Sequence, residues 1–488
     1  MSVLLSRLLA DDAALPRGAE DAAISGLTAD SRQVKPGFLF AALPGSKVDG
    51  AQFIPQAVQA GAAAVIVGNS VATPKANSIL IKSANPHQLF ARVASRFAGS
   101  QPDIAVAVTG TNGKTSVAAF VRQIWQSMGF RAASIGTVGI VGPAGEEYLE
   151  HTTPDPVKLH HTLAGLAQDH VTHLAMEASS HGLAQFRLDG VRLAAAGFTN
   201  LTRDHLDYHA SFEDYFAAKM RLFSELLPPG STAVINADVD IAKDVVARAK
   251  AHGLTIFTVG EKGADLKLVS GVRDGFGQRL VLATAHGQHE IYLPLVGDFQ
   301  VSNALVAAGL VIATGGEEAL AVHALESLKG AKGRLDLVTH SAKGAPIFVD
   351  YAHTPDALEK AILALRPYVN RKLAVVFGCG GDRDKGKRPQ MGAISAKLAD
   401  IAYVTDDNPR TEDAAVIRAE VMAACPGGIE IGDRASAIRT AVDALQEGDI
   451  LLVAGKGHES GQTVGTKVLP FSDHDAVKAA VSGRDYHG

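Results

Sequence analysis

The sequence predicts an α/β protein of three domains built on parallel sheets, the central one carrying a phosphate-binding loop. Three observations predict this. The chain has 488 residues, and at about 100–200 residues per domain that implies about three. Apolar runs of strand length alternate with segments of helical spacing along most of the chain, the pattern of strands joined by crossover helices. Thr109-Gly-Thr-Asn-Gly-Lys-Thr-Ser116 stands between one such run, Ile104–Val108, and a segment from Val117 to Trp125 with apolar residues at helical spacing.

Strand, Gly-rich turn, Lys-Thr and helix is the layout of a phosphate-binding loop. Gly110 and Gly113 let backbone N–H groups approach phosphate oxygens with no Cβ in the way. The helix start at Lys114, Thr115 and Ser116 adds its positive end. Lys114 is suited to β/γ-phosphate charge and the Thr115 hydroxyl to Mg²⁺. The loop is a short form, because Val108 stands where the longer motif has its first glycine. These residues predict a nucleoside triphosphate as ligand.

Bulk composition narrows the class. Hydrophobic residues make up 47% and charged residues 20%, ordinary for a globular protein with real cores. A net charge of −5 gives no reason to expect nucleic acid or an anionic membrane as partner. Two cysteines, Cys379 and Cys425, are too few for a disulfide framework. The N-terminus makes a poor signal peptide, and the apolar stretch near Ala304–Ala313 falls short of the about 18 residues a membrane span needs. The expectation is a cytoplasmic monomer without membrane insertion.

The first domain, residues 1–101, carries strand-like runs at Phe38–Ala42, Ala62–Val67 and Ser78–Ile81, with an amphipathic helix over Ile54–Ala60. Gly99–Pro102 reads as a linker. The second domain, 102–330, has runs at Ile104–Val108, Thr172–Met176, Ala194–Phe198, Ala233–Ile235 and Thr255–Val259. An alternating, antiparallel insertion is expected around Leu266–Leu295, then a buried helix at Val301–Ala313. The third, 331–488, has strands at Ile347–Val349, Leu373–Phe377, Ile401–Val404 and Ile450–Val453, each ending in a polar or Gly-rich turn. Ligands of open parallel sheets bind beyond the strands' carboxyl ends, so four such turns mark a site edge.

Several side chains suit the chemistry. Glu177 directly follows a strand, where a carboxylate serves Mg²⁺ shared with substrate phosphates. Thr202–His209 packs Asp204, His205, Asp207 and His209 into a polar loop. Phe212, Tyr215, Phe216 and Phe223 line one helical face with Lys219 among them. A buried lysine there has its pKa pulled down, and a neutral amine reacts with CO₂ to give a carbamate, an oxygen ligand. The charge run Asp382–Arg388 follows glycines at a strand end, which favours an anion-binding turn. Arg410 suits bidentate capture of a carboxylate, and Glu459 suits an ammonium group.

Together the motifs resemble those of the ATP-dependent Mur ligases. They are Asp30-Ser31-Arg32, the loop 109–115, Thr152-Thr153-Pro154, Glu177–Gly182, Asp204-His205-Leu206-Asp207, Lys219, Asp350–Pro355, Asp407-Asn-Pro-Arg410 and Gly455-Lys-Gly-His-Glu459. The resemblance implies a central P-loop ATPase-type domain flanked by a UDP-binding α/β domain and a Rossmann-like C-terminal domain. It implies amide formation through an acyl phosphate, with ATP, UDP-MurNAc-L-Ala-D-Glu and meso-diaminopimelate as substrates in peptidoglycan precursor synthesis. Catalysis would rest on Lys114, Glu177, His205 and Lys219. Mg²⁺ would be held by Thr115, Glu177, His205 and the carbamate of Lys219. The nucleotide would meet Gly110, Thr111, Asn112, Gly113, Lys114, Thr115, Ser116, Asn303, Arg334 and Asp350. The nucleotide-sugar dipeptide would meet Ala29, Ser31, Ser46, Lys47, Val48, Thr152, Thr153, Ser179, Gln185 and Arg187. Diaminopimelate would meet Arg383, Asp407, Asn408, Pro409, Arg410, Gly455 and Glu459. His151, Ala29 and Gln300 depart from the usual residues of the family at their positions.

Two rival readings compete, a folylpolyglutamate synthase and a nucleotide switch or transport ATPase, and neither explains the amino-acid chemistry of the third domain. Folylpolyglutamate synthases lack the first domain and the Asp-Asn-Pro-Arg turn. A GTPase switch needs an Asn-Lys-x-Asp turn, and the sequence has none.

Overall fold

The structure is a computed structural model that describes residues 2–45, 48–71, 79–149, 151–202 and 208–486. It divides into two compact units, one of residues 1–268, 283–288 and 302–324, the other of 269–282, 289–301 and 325–488.

The first unit begins with a four-stranded parallel sheet, β1 (Gly26–Thr28), β2 (Phe38–Ala41), β3 (Ala64–Gly68) and β4 (Ile79–Ser83), paired in sequence order. Period-two alternation sends Leu39, Ala41 and Ile66 to a core shared with Leu89, Phe90 and Val93 of helix α1 (Pro86–Ala98). It sends Phe40, Val65 and Val67 to the other face, against Ile54 and Ala57. Asn85 caps α1 through the N–H of Gln88. The stretch expected as a linker is anchored. Gln101 is buried, donates to Ser95 Oγ at 3.0 Å and the Gly190 carbonyl at 2.8 Å, and accepts from the Arg192 N–H at 3.0 Å.

The larger sheet of this unit is centred on β5 (Ile104–Thr109). Strands β6 (Ala132–Gly136), β7 (Gly139–Gly142) and β8 (Gly145–Glu147) lie to one side as antiparallel neighbours of one another. The sequence reading missed all three, because small residues and glycines give them no apolar signature. Strand β9 (His173–Glu177) joins β6 to β5, both in parallel. Strands β10 (Leu193–Phe198), β11 (Thr232–Asn236) and β12 (Thr255–Gly260) follow in parallel on the other side. Strands β13 (Leu266–Asp274), β14 (Gly277–Thr284) and β15 (Gly287–Leu293), most of whose residues belong to the second unit, fill the region of the expected insertion.

One face of this sheet packs on helix α3 (Pro156–Gln168) and helix α4 (Phe212–Arg221) through Leu159, Leu163, Phe216 and Met220. The other face takes the helix expected at 301–313. A Cβ on Gly197 would press on Val306 and Leu310 at 3.1 Å, and one on Gly309 would come within 2.7 Å of Val234. Glycine at both positions lets helix and sheet approach closely.

The second unit holds a six-stranded sheet. β16 (Asp336–His340) is antiparallel to β17 (Pro346–Asp350), and the order continues in parallel through β21 (Ile450–Ala454), β18 (Leu373–Phe377), β19 (Ile401–Val404) and β20 (Ile429–Glu430). Its faces alternate as β-pleating requires, Phe348, Val375, Phe377 and Leu452 on one side and Ile347, Val349, Val376 and Val453 on the other. Cys379 and Cys425 are free and buried.

His160 of α3 supplies a stability switch. Its ring is buried, with Nε2 at 3.1 Å from the Asp189 carbonyl. Burial pulls its pKa down from 6.5 to about 4. Between those values the unfolded chain binds the extra proton and the folded chain does not, so stability rises with pH across that window and levels off above it. Urea unfolding should register a gain of up to about 3 kcal/mol over the window from this group, and His160→Gln should flatten that part of the profile.

Candidate active site

In the first unit, Gly110 and Gly113 adopt φ of +149° and +88°, conformations that disfavour any side chain. There is no room for one either. A Cβ on Gly110 would overlap Thr199 Oγ, and one on Gly113 would overlap Asn303 Oδ1. Helix α2 (Lys114–Ser127) starts directly after Gly113. The N–H groups at the start of this helix make an anion cradle, while those of Thr111 and Asn112 are taken by Asn200.

The cradle is held from the neighbouring strand. Thr199 Oγ donates to the Asn112 carbonyl at 2.6 Å, while the Asn200 side chain accepts from Asn112 N–H at 2.9 Å and donates to its carbonyl at 3.2 Å. Thr111 Oγ donates to the Thr202 carbonyl at 3.1 Å and sits 3.1 Å from the Tyr215 hydroxyl. Thr199 and Asn200 went unassigned in the sequence reading, although a Thr-Asn pair closing a strand one place from the loop strand was a usable signal.

Two lysines converge on the loop. Lys114 Nζ donates to the carbonyls of Gly110 at 3.0 Å and Thr111 at 2.8 Å. Lys219 is 1% exposed, donates to Gly110 O at 2.7 Å and lies over the Tyr215 ring. The apolar stripe expected around Lys219 is therefore present, formed by Tyr215, Phe216 and Phe223, while Phe212 is exposed. Thr115 and Ser116 are buried at the helix start.

Glu177 ends β9 beside the loop strand, in register with Val108. It is 2% exposed. Oε1 accepts from the Thr137 N–H at 2.7 Å and Oε2 from the Thr137 hydroxyl at 3.1 Å. A Cβ on Gly136 would overlap this carboxylate. Its described partners are neutral, so the buried charge calls for a cation.

Five residues expected at the nucleotide-sugar dipeptide come together here. Thr152 Oγ lies 3.0 Å from Thr137 Oγ, and Thr153 Oγ donates to the Glu177 carbonyl at 3.1 Å and lies 3.0 Å from Ser179 Oγ. Arg187 donates to the Thr153 carbonyl at 2.6 Å and to Gln185 Oε1 at 2.7 Å. Ser31, in the four-stranded sheet region, donates to Gln56 at 3.1 Å, while Ala29 and Val48 are exposed. Ser46, Lys47 and His205, with Asp204 and Asp207, lie outside the described residues.

In the second unit the four polar turns follow β17, β18, β19 and β21, at the carboxyl ends of neighbouring parallel strands. Asp350 accepts from the N–H groups of Leu335 at 2.6 Å and Ala352 at 2.8 Å. Burial pushes its pKa up, and the Arg334 guanidinium works against that. Arg334 also lies over the Tyr351 ring. Burial, reinforced by Glu459, drives the Tyr351 hydroxyl up to about 12, so it stays protonated and able to donate.

Asp407 and Asn408 are buried, and Asn408 Nδ2 donates to Glu459 Oε2 at 3.1 Å. Arg410 sits at a φ of +51° and donates to the Gly381 carbonyl at 2.8 Å. Gly455 takes φ of +122°, and a Cβ there would stand 3.2 Å from Asp407 Oδ2. Arg383 is exposed.

The charge run 382–388 is more structural than its sequence suggests. Arg388 is fully buried, paired with Glu412 at 2.9 Å and Glu420 at 2.8 Å. The Arg388 hydrogen bond holds the Glu412 carboxyl down to about 2. Lys456, also missed, is fully buried among Asp407, Asn408 and Glu459.

A phosphate cradle with two lysines and a buried acid, and a second sheet with charged side chains at its strand ends, define a nucleotide-dependent ligase. The chain belongs to the Mur ligase family. The Mur ligase family catalytic domain matches residues 23–98, the Mur ligase middle domain 108–311 and the Mur ligase glutamate ligase domain 333–457. It is 53% identical to the UDP-N-acetylmuramoyl-L-alanyl-D-glutamate–2,6-diaminopimelate ligase of Bradyrhizobium diazoefficiens, over 98% of this chain and 99% of that one. A solved structure of a ligase of the same name matches with a TM-score of 0.73 at 32% identity, covering 99% of both chains. The folylpolyglutamate synthase of Mycobacterium tuberculosis, solved with ADP, shares the fold at a TM-score of 0.59 and 18% identity, over 74% of this chain and 89% of that one. Among the described residues no helix is long and apolar enough to cross a membrane.

The clamp on Asn112 makes a direct prediction. Asn200→Ala removes two hydrogen bonds to that peptide, at about 1 kcal/mol each. The KM for ATP should rise on the order of tenfold with the KM of the amino acid unchanged, measured by steady-state phosphate release.

Proposed function

We propose that the chain joins meso-2,6-diaminopimelate to the D-Glu γ-carboxylate of UDP-MurNAc-L-Ala-D-Glu at the expense of ATP, in the cytoplasm and as a monomer, in peptidoglycan precursor synthesis. Its division of labour follows domains 1–101, 102–330 and 331–488. A γ-carboxylate oxygen attacks the terminal phosphorus of ATP and ADP leaves. The free amine of diaminopimelate then attacks the acyl carbon, phosphate leaves, and the nitrogen gives up a proton as the amide forms.

Lys114 and the N–H groups at 113–116 stabilise charge on the transferring phosphoryl group, the main electrostatic task of such a step, with Gly110, Thr111 and Asn112 shaping the loop. Asn303, Arg334 and Asp350 bind the nucleotide. Glu177 and Thr115, with His205 and a carbamate on Lys219, would hold Mg²⁺; the neutral partners of the buried Glu177 carboxylate fit that role. Mg²⁺ there would neutralise phosphate charge while sharing oxygen ligands with the nucleotide. Ala29, Ser31, Ser46, Lys47 and Val48 take the uridine end of the second substrate. Thr152, Thr153, Ser179, Gln185 and Arg187 take its sugar and peptide.

The observation that carries the choice of amino acid is the presence, on turns at the carboxyl ends of one parallel sheet, of both a cation and two acids: Arg410, whose guanidinium donates to the Gly381 carbonyl, and Asp407 and Glu459, which share Lys456. Arg383, Asn408, Pro409 and Gly455 complete that pocket. A substrate with an ammonium group and a distal carboxylate matches this set. Lysine, which lacks the carboxylate, leaves the arginine unpaired. The test is product mass with purified UDP-dipeptide, ATP and each amino acid in turn. Diaminopimelate should be preferred over L-lysine by at least about 10²-fold in kcat/KM; comparable turnover would refute the proposal. Arg410→Ala should raise the KM for diaminopimelate on the order of 10²-fold and leave that for ATP nearly unchanged. A matched rise in both would remove Arg410 from the pocket.

A further inference from the structure

We infer that Lys456 is a positioning residue for the incoming amino acid: it sets the charge balance between Asp407 and Glu459 and fixes the orientation of the Asn408 amide. This rests on the reading of the second unit as the amino-acid site.

Lys456 is 0% exposed, an unusual position for a lysine. Its Nζ donates to Asn408 Oδ1 at 3.0 Å and Glu459 Oε2 at 3.2 Å, and stands 3.6 Å from Asp407 Oδ1. These contacts tie the turn after β19 to the turn after β21. The ammonium also lies between the buried carboxylate of Asp407 and the partly exposed one of Glu459, which would otherwise repel each other. With Lys456 the trio carries a net charge of −1, which one substrate ammonium balances. Without it the pair carries −2, a state that burial penalises.

The second effect is geometric. Asn408 Oδ1 receives both the lysine ammonium and the Thr463 N–H, the latter at 2.9 Å. Both groups can only donate, so the atom facing them must be the amide oxygen. Nδ2 is thereby turned to Glu459, where it donates at 3.1 Å. Loss of the ammonium removes one of the two donors that fix Asn408 Oδ1 and one partner of Glu459, which loosens this lock. Gly455 supports the arrangement, because its φ of +122° brings the chain tightly round Asp407 just before Lys456.

The test is steady-state kinetics of Lys456→Met and Lys456→Arg in the full chain, with all three substrates varied. Removing one partner of a buried ion pair leaves the opposite charge uncompensated. Lys456→Met should therefore raise the KM for diaminopimelate on the order of 10²-fold, with the KM values for ATP and the UDP-dipeptide within about threefold of wild type. Lys456→Arg, which restores the charge, should recover at least about tenfold of that loss. Unchanged ATP and UDP-dipeptide KM values report that the variant is folded. If Lys456→Met does not fold, Lys456→Gln is read by the same criteria. An unchanged KM for diaminopimelate, an equal rise for all three substrates, or no recovery with arginine would overturn the inference. Wild-type phosphate release that ignores diaminopimelate would instead overturn the underlying reading of the site.

Discussion

A phosphate-binding loop has few side chains with which to hold its own shape. Gly110 and Gly113 provide the backbone geometry, and for that reason provide no packing. The rigidity comes from the next strand. Parallel pairing of β5 with β10 brings Phe198 beside Thr109, so the residues after Phe198 emerge beside the loop. Thr199 and Asn200 then grip both faces of the Asn112 peptide. The Gly197 contact with Val306 and Leu310 sets the height of that strand against its helix, and Asn303 of the same helix closes over Gly113. Sheet register, helix approach and loop shape are thus one constraint.

The second unit is organised by charge rather than by backbone geometry. Arg388 is answered by Glu412 and Glu420, and Arg434 by Asp473 in a fully buried pair. Such pairs contribute little net stability, yet breaking one is costly. They hold the turns after β18 and β21 in fixed places. At the carboxyl ends of the central strands the balance changes. Asp407 and Glu459 share one lysine, which leaves a surplus of negative charge at these turns.

Local patterns carried most of the fold. The central strands of the parallel sheets stand within a residue or two of their apolar runs, because buried parallel strands are continuous in hydrophobicity, whereas the short edge strands β1, β16 and β20 had no such run. The strands β6 to β8 escaped because Ala-Ala-Ser-Ile-Gly and Gly-Ile-Val-Gly carry too little bulk to register. At the candidate site, the motif residues Gly110, Lys114 and Glu177 stand out in the sequence as unusual types at a strand end, and the structure brings them to one end of one sheet. Residues whose importance is relational were not. Nothing near Arg388 in sequence reveals Glu412 or Glu420, so a buried structural cation reads as part of a solvated run. Thr199, Thr137 and Lys456 are ordinary residue types that matter only through partners tens of residues away.

The contrast between Glu177 and the other buried charges bears on mechanism. Arg388, Arg434 and Lys456 each have an opposite charge from the protein itself. Glu177 is as deeply buried, yet its described partners are the neutral N–H and O–H of one threonine. A carboxylate in that setting is costly unless a cation joins it. Groups that serve stability are neutralised within the fold, whereas a group that serves a charged ligand must stay unneutralised until that ligand arrives. By this criterion Glu177 is set apart from the structural charges, in line with the metal-holding role proposed for it, and Gly136 is glycine because the carboxylate needs the space its side chain would fill.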